Sequence, residues 1–284
     1  MNENKTNINW YPGHMAKTKR LISENLNLID IVYEVIDARI PRSSKIEDID
    51  SLLKNKPKIL IMTKYDLCDT KETDKFIKYY ESLGYKVLKY NLNSNESLDQ
   101  IFTTSKELLK EKLIKKQGKG YNSNKIRALV VGIPNVGKSS LINKIAKKNK
   151  VVVGNKPGVT KNIGWVKATN EIEIMDSPGI LWPKLEQGTT AYNLAATTAI
   201  KEEILPLDDV SVYIIKTLYK YYPEILKEQY GIDNIDDFIE VFEIIGRKKG
   251  FLSRGGIVDD DKVVHLIIND IKSGKIKGIT FDRM

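Results

Sequence analysis

The chain has 284 residues, 46 of them Lys or Arg against 37 Asp or Glu, for a formal net charge of +9. Hydrophobic residues make up 41%, and no apolar run approaches the roughly 20 residues of a membrane helix, so one or two globular domains and no membrane association are expected. The lone Cys68 excludes an internal disulfide and a cysteine-built metal centre, while the positive balance suits a polyanionic partner. The N-terminus, MNENKTNINW, has no apolar core, contains Glu3 and lacks Arg. Neither a secretory nor a transit peptide is expected, and cytoplasm is the expected compartment.

Taken in order, short apolar runs bounded by polar or turn residues predict strands at IVYEVID (31–37), KILIM (58–62), YKVLKY (85–90), RALVVG (127–132) and IEIMD (172–176). Helical spacing fills the intervals at Thr73–Leu83, Leu98–Ile114 and Lys138–Lys147, and KKQGKGYNSNK (115–125) reads as a basic linker. Strands alternating with helices predict a doubly wound, mainly parallel sheet. After about residue 190 the pattern turns wholly helical, with about four helices expected from YNLAATTAIKEEIL, VSVYIIKTLYKYYPEIL, DDFIEVFEIIG and DDDKVVHLIINDIKSG. Asp236 and Asp259 are the expected N-caps there, Gly246 and Gly274 the expected stops.

Gly132-Ile133-Pro134-Asn135-Val136-Gly137-Lys138-Ser139 fits G-x-x-x-x-G-K-[S/T], directly after a predicted strand and at the opening of a helix. Glycines let backbone N–H groups curl round phosphate oxygens, and the helix N-terminus adds its positive end. Asn135, Val136, Gly137, Lys138, Ser139 and Ser140 are the expected phosphate-binding residues, with Lys138 bridging the outer phosphates and Ser139 holding Mg²⁺. Asp176-Ser177-Pro178-Gly179 fits D-x-x-G, with Asp176 37 residues after Ser139. Asp176 is a second expected Mg²⁺ group, and the Gly179 amide the expected γ-phosphate sensor. Thr160, in the polar segment NKPGVTKN between them, is the expected switch threonine, closing on Mg²⁺ and γ-phosphate.

Thr63-Lys64-Tyr65-Asp66 ends the second predicted strand and fits [N/T]-K-x-D. A carboxylate at Asp66 would accept from guanine N1–H and N2–H₂, a donor pair that adenine lacks, so GTP is the expected substrate. The Lys64 stem would cover one face of the base, and Thr63 keeps a hydroxyl where Asn is usual. Asn91 and Leu92, after the next strand, stand where a backbone N–H would meet the guanine carbonyl. In a Ras-like domain the phosphate loop comes first and the base-reading strands last; here the tetrad begins 69 residues before the phosphate loop. A parallel sheet gathers such loops at one edge whatever their chain order, and domain termini lie close enough to be rejoined. The expected fold is therefore α/β: a circularly permuted Ras-like P-loop GTPase domain over 1–189, followed by a smaller all-helical domain over 190–284.

WYPGHMAK (10–17), DARIP (37–41), TKYD, GIPNVGKSSLIN, NKPGVT and DSPGILWPKLE resemble, in that order, the motifs of the ribosome biogenesis GTPase A family. LAATTAIKEEI and RGGIVDDDKVVHLIINDIKSGKIKGITF extend the likeness over nearly the whole chain. The resemblance implies a cytoplasmic GTPase acting in late assembly of the large ribosomal subunit, with the helical domain contacting ribosomal RNA.

Ile180 occupies the position after D-x-x-G where Ras-like enzymes place a water-orienting Gln, and its apolar side chain can neither orient nor deprotonate water. His14, one of two histidines and beside Gly13 in a segment read as a movable loop, is the expected catalytic group. The resemblance implies the same role; a surface or helix-capping His is the alternative. His265 is expected to be structural or to face solvent. In related GTPases an Asn at the Asn135 position helps bind K⁺ beside the phosphates, which makes Asn135 the candidate K⁺ ligand. Lys248, Lys249, Lys272, Lys275 and Lys277 are expected to neutralise RNA phosphates, and the tyrosines of YKYY (219–222) to lie in the core. A monomer is expected. Two other readings stay open: a GTPase with a translation or signalling target, and an RNA-binding protein whose nucleotide site only stabilises the fold.

Overall fold

All seven residues of β1 (Ile31–Asp37) are buried, and that decides where the sheet has its centre. A strand buried on both faces belongs inside a parallel sheet covered by helices. The computed structural model describes residues 13–46, 49–53, 56–118, 125–146, 164–169, 171–177, 188–197 and 206–284. β1 is joined by β2 (Lys58–Thr63), β3 (Lys86–Lys89), β4 (Ile126–Val131), β5 (Gly164–Lys167) and β6 (Ile172–Asp176) in the order β3-β2-β1-β4-β6-β5. Every pairing is parallel except β5 with β6. The five predicted strands all form; β5 was not anticipated, because GWVK is too short to stand out as an apolar run.

Around the sheet lie α1 (Gly13–Asn25), α2 (Ile49–Leu53), α3 (Thr70–Ser82), α4 (Asp99–Leu108), α5 (Lys110–Gly118) and α6 (Lys138–Ala146). The expected helix at 98–114 is two helices meeting at Leu109, and the second runs through Gly118, so the first part of the expected linker is helical. The remainder of that linker lies outside the described residues. β1 and β4 are central neighbours, and from them the chain winds outward in opposite directions, through β2 to β3 and through β6 to β5. Ligands bind outside the carboxyl ends of the strands at such a reversal. β4, which would open an uncut Ras-like domain, comes fourth along this chain yet holds a central place. The permutation has moved the ends and kept the sheet.

The helical region holds five described helices: α7 (Thr189–Ala196), α8 (Leu207–Tyr221), α9 (Pro223–Tyr230), α10 (Phe238–Lys249) and α11 (Asp260–Lys272). Pro223 divides one predicted helix into α8 and α9, taking the first helical position where its missing N–H costs nothing. α10 is capped by Asp237, which accepts from the Ile239 N–H at 2.8 Å, and not by Asp236. It runs past Gly246, buried against Val258, to stop at Gly250. Asp259 caps α11 as expected, and Gly274 follows its end. A single apolar core extends from Ile31 and Val130 in the sheet to Ile214, Ile245 and Ile267 in the helices, while Ile36, Leu60, Met62, Phe76 and Tyr80 form a second core. Among the described residues no helix is long and apolar enough to cross a membrane.

Candidate nucleotide site

The phosphate loop leaves β4 and passes directly over β1. A Cβ at Gly132 would run into the Val35 carbonyl oxygen, so the crossing requires glycine. Asn135 then takes a left-handed φ of 61°, and Lys138 opens α6 with Ser139 and Ser140 in the same first turn. Lys138 is buried, and its Nζ donates to the Ile133 carbonyl at 2.7 Å, inside its own loop. Burial brings its pKa down to about 8, against the pull of the Asp176 charge.

Asp176 ends β6, 3% exposed, and among the described residues neither carboxylate oxygen meets a donor in full hydrogen-bond geometry. Burial raises its pKa to about 6, and the Lys138 charge and the Ser177 backbone N–H offset only part of that rise. Native proteins rarely leave buried polar atoms unpaired, because the lost hydration is not replaced. An unpaired carboxylate here fits a hard divalent cation, whose preferred ligands are oxygens. Asp176 and Ser139 are the residues that would hold Mg²⁺, which when bound neutralises charge on the phosphate oxygens. The next residue, Ser177, fixes the strand end by donating to the Val130 carbonyl at 2.7 Å.

On the opposite flank of the loop Thr63, Lys64, Asp37 and Arg39 are all engaged. Thr63, buried at the end of β2, lays its hydroxyl against the Val136 and Ile36 carbonyls and donates to the former. Lys64 has a left-handed φ of 56° and sends Nζ to the Asn135 carbonyl and to the Asp37 carboxylate, each at 2.8 Å. Burial lowers its pKa, and Asp37 opposes that. Asp37 also receives Nε of Arg39 at 3.0 Å and Nη2 at 2.8 Å. Burial alone would raise the Asp37 carboxyl, but Arg39 and Lys64 hold it well below the usual carboxylate range. Asp66 is exposed. Leu92 lies beside Gly137, and Lys144 of α6 donates to the Ser94 carbonyl at 2.6 Å, fastening the loop after β3 to the phosphate helix. The Asn91 N–H is engaged by the Glu96 carboxylate at 3.4 Å.

The structure thus brings together Thr63, Lys64, Leu92, Asn135, Val136, Gly137, Lys138 and Asp176. Thr160 and Gly179, with Ile180, lie outside the described residues. His14 falls in the first turn of α1, so the backbone there is helical where a movable loop was expected; its side chain is not among the described ones. His265 faces solvent as expected. Tyr219 and Tyr221 are 40% and 41% exposed, which corrects the expectation that they are core residues. Asp37 and Arg39 appeared in the sequence only as part of DARIP; the available signal was two opposite charges at the end of a mostly apolar strand.

A phosphate loop, a T-K-x-D tetrad pressed against it and a buried carboxylate lacking a full hydrogen bond among the described residues, at one edge of a rejoined parallel sheet, define a circularly permuted GTPase. Residues 127–243 match the family described as 50S ribosome-binding GTPase. Ribosome biogenesis GTPase A of Bacillus pumilus is 47% identical over 97% of this chain and 98% of its own length. The protein of that name from Priestia megaterium is 46% identical over 97% and 96%. The GNP-bound and GDP-bound structures of YlqF from T. maritima superpose with TM-scores of 0.62 and 0.64 at 27% identity, covering 94% and 93% of this chain and 98% and 99% of theirs. The chain belongs to the ribosome biogenesis GTPase A family, and GTP is its substrate.

Proposed function

We propose that this GTPase is an assembly factor of the large ribosomal subunit, hydrolysing GTP when docked on a precursor of that subunit and binding its RNA through residues 190–284. The observation that carries the reading is Asp176, buried and unpaired across from Lys138. A nucleotide that served only as structural filler would not need a carboxylate kept at that cost. In this reading Lys138 and the amides of Asn135–Ser140 hold the phosphates, Thr160 and Gly179 sense the γ-phosphate, and Asp66 reads guanine with Lys64 beneath the base. Asn135 adds K⁺ beside the phosphates, and His14 assists the attacking water. Both Arg247 and Lys248 are exposed at the end of α10, and exposed Tyr219 and Tyr221 are available to stack on bases. Among the expected phosphate contacts Lys275 pairs with Asp270 at 3.2 Å, a carboxylate that a phosphate would have to displace. The protein acts as a cytoplasmic monomer.

The test is GTP turnover with and without purified large subunits, for the wild type and for His14→Ala. The subunit should stimulate the wild type, and His14→Ala should bind GTP normally yet lose on the order of 10²–10⁴-fold of the stimulated rate, the range for general acid–base groups. Absence of stimulation would refute the proposed partner; full stimulated turnover in the variant would remove His14 from the mechanism.

A further inference from the structure

Behind the guanine-reading tetrad lies a set of contacts that nucleotide binding itself does not use. Asp37 receives Lys64 on one side and the Arg39 fork on the other. Arg39 is 1% exposed, and its third nitrogen, Nη1, donates at 2.8 Å to the carbonyl of Ile271 in the last turn of α11. Carbonyls at a helix C-terminus lack intrahelical donors and sit at the negative end of the helix dipole, so a guanidinium is well suited to satisfy one. Arg39, through Asp37, thereby joins the helical region to the lysine that would lie beneath the base.

Beyond α11 the chain turns at Gly274, φ 74°, where a Cβ would sit 2.8 Å from the Leu67 side chain. It then runs along the segment that follows Asp66. The N–H groups of Gly278 and Ile279 donate to the Leu67 carbonyl at 2.9 and 3.3 Å. Thr280 accepts from the Asp69 N–H at 3.1 Å, and Phe281 donates to the Arg39 carbonyl at 2.8 Å. Asp282, buried, accepts from the N–H groups of Arg42 at 2.7 Å and Ser43 at 2.8 Å, from the Ser43 hydroxyl at 2.6 Å and from the Asn193 amide at 2.8 Å.

We propose that Arg39 and residues 274–282 are positioning elements of guanine recognition. They fix Lys64 and the backbone that presents Asp66, so the helical region sets affinity and selectivity for the base independently of the γ-phosphate. The inference rests on reading Thr63–Asp66 as the base-reading tetrad. Its physical basis is that Lys64 occupies a left-handed conformation, which a residue with a Cβ keeps only when its surroundings hold it there. Loosening the tail frees residues 67–69, and Asp66 loses its register with the base. By linkage, a partner that draws the tail away weakens GTP and GDP by one factor, and bound nucleotide resists that partner equally.

The experiment uses the full chain, with Thr280→Val, which is isosteric, and Asp282→Asn. Dissociation constants are measured for GTP, GDP and IDP, whose base lacks the N2 amino group, beside melting curves that confirm folding. Both variants should bind GTP and GDP roughly three- to tenfold more weakly, the scale of one hydrogen bond, with the preference for GDP over IDP reduced. Wild-type affinities in the folded variants would overturn the proposal. So would an equal weakening of GDP and IDP, which marks general destabilisation. If Asp282→Asn does not fold, Thr280→Val decides alone. Asp66→Asn is measured in parallel: if it fails to favour xanthosine over guanosine nucleotides, the tetrad reading itself falls, and the positioning role with it.

Discussion

The two flanks of the phosphate loop solve the problem of buried charge in opposite ways. On the base side Thr63, Lys64, Asp37 and Arg39 form a chain in which every charge has a partner of opposite sign or a carbonyl within hydrogen-bond reach. On the phosphate side Lys138 folds back on its own loop, and Asp176 is buried with no full hydrogen bond among the described residues. Preorganisation favours binding because the ordering has been done before the ligand arrives. The unsatisfied flank does the reverse: it is least stable empty and gains most when phosphate and cation enter. The base side is built as a mould and the phosphate side as a trap, and only the trap should respond strongly to nucleotide loss.

The largest expected effect comes from changing the mould's reading edge. In the proposed reading Asp66→Asn removes an acceptor for two guanine donors, and it should lower GTP affinity by roughly 10²–10⁴-fold, as two hydrogen bonds to a charged group are lost. Xanthosine triphosphate, which presents an acceptor at that position, should gain. Competition binding of the two nucleotides measures both, and equal binding of ATP and GTP by the wild type would sink the assignment of the mould. Lys138→Ala comes next, on the trap side. It should weaken GTP and GDP together by about 10²–10³-fold, the cost of removing one partner of a buried, hydrogen-bonded charge pair. The melting temperature of the empty protein should change less by comparison, because among the described residues Lys138 hydrogen-bonds its own loop and meets Asp176 only through charge.

Much of the trap could be read directly from the sequence. G-x-x-x-x-G-K-S and D-x-x-G are local motifs, each set by the turn that its own strand end must make, so spacing alone located Lys138 and Asp176. The permutation was legible too, because strand order along the chain is one-dimensional information. The back of the mould was not. Arg39 and Ile271 are 232 residues apart, and nothing local to either announces the hydrogen bond between them. The same holds for the Asp282 carboxylate, which reads as an ordinary terminal acid until the tail is seen against Arg42 and Ser43. Helix ends failed for a simpler reason: Asp236 and Asp237 are equally good caps in sequence, and Gly246 reads as a stop unless Val258 is known to need the space.

Asp176→Asn should produce the smallest effect, and it separates the two flanks most directly. In the folded chain the Asp176 pKa is raised from 3.8 to about 6. Below the lower value both folded and unfolded chains are protonated there, and the group costs nothing. As pH rises through about 6 the folded chain must ionise a buried carboxyl that Lys138 and the Ser177 N–H compensate only in part, so the stability present in acid is lost. Asp37 acts in the opposite sense: its depressed pKa contributes stability above the ordinary carboxylate range, which is lost only in stronger acid. Asparagine keeps the shape of Asp176 without the charge. The nucleotide-free variant should therefore melt roughly 2–5 °C above wild type at pH 7, the shift for a kcal/mol or so in a chain this long, and the gain should shrink at pH 5. With GTP and Mg²⁺ present the order should reverse, because the wild type recovers its binding energy and the variant does not. Melting curves at pH 5, 6 and 7, with and without GTP and Mg²⁺, test all of this. A variant that melts below wild type at pH 7 without nucleotide would mean that Asp176 is already satisfied in the empty protein, and that the trap is a second mould.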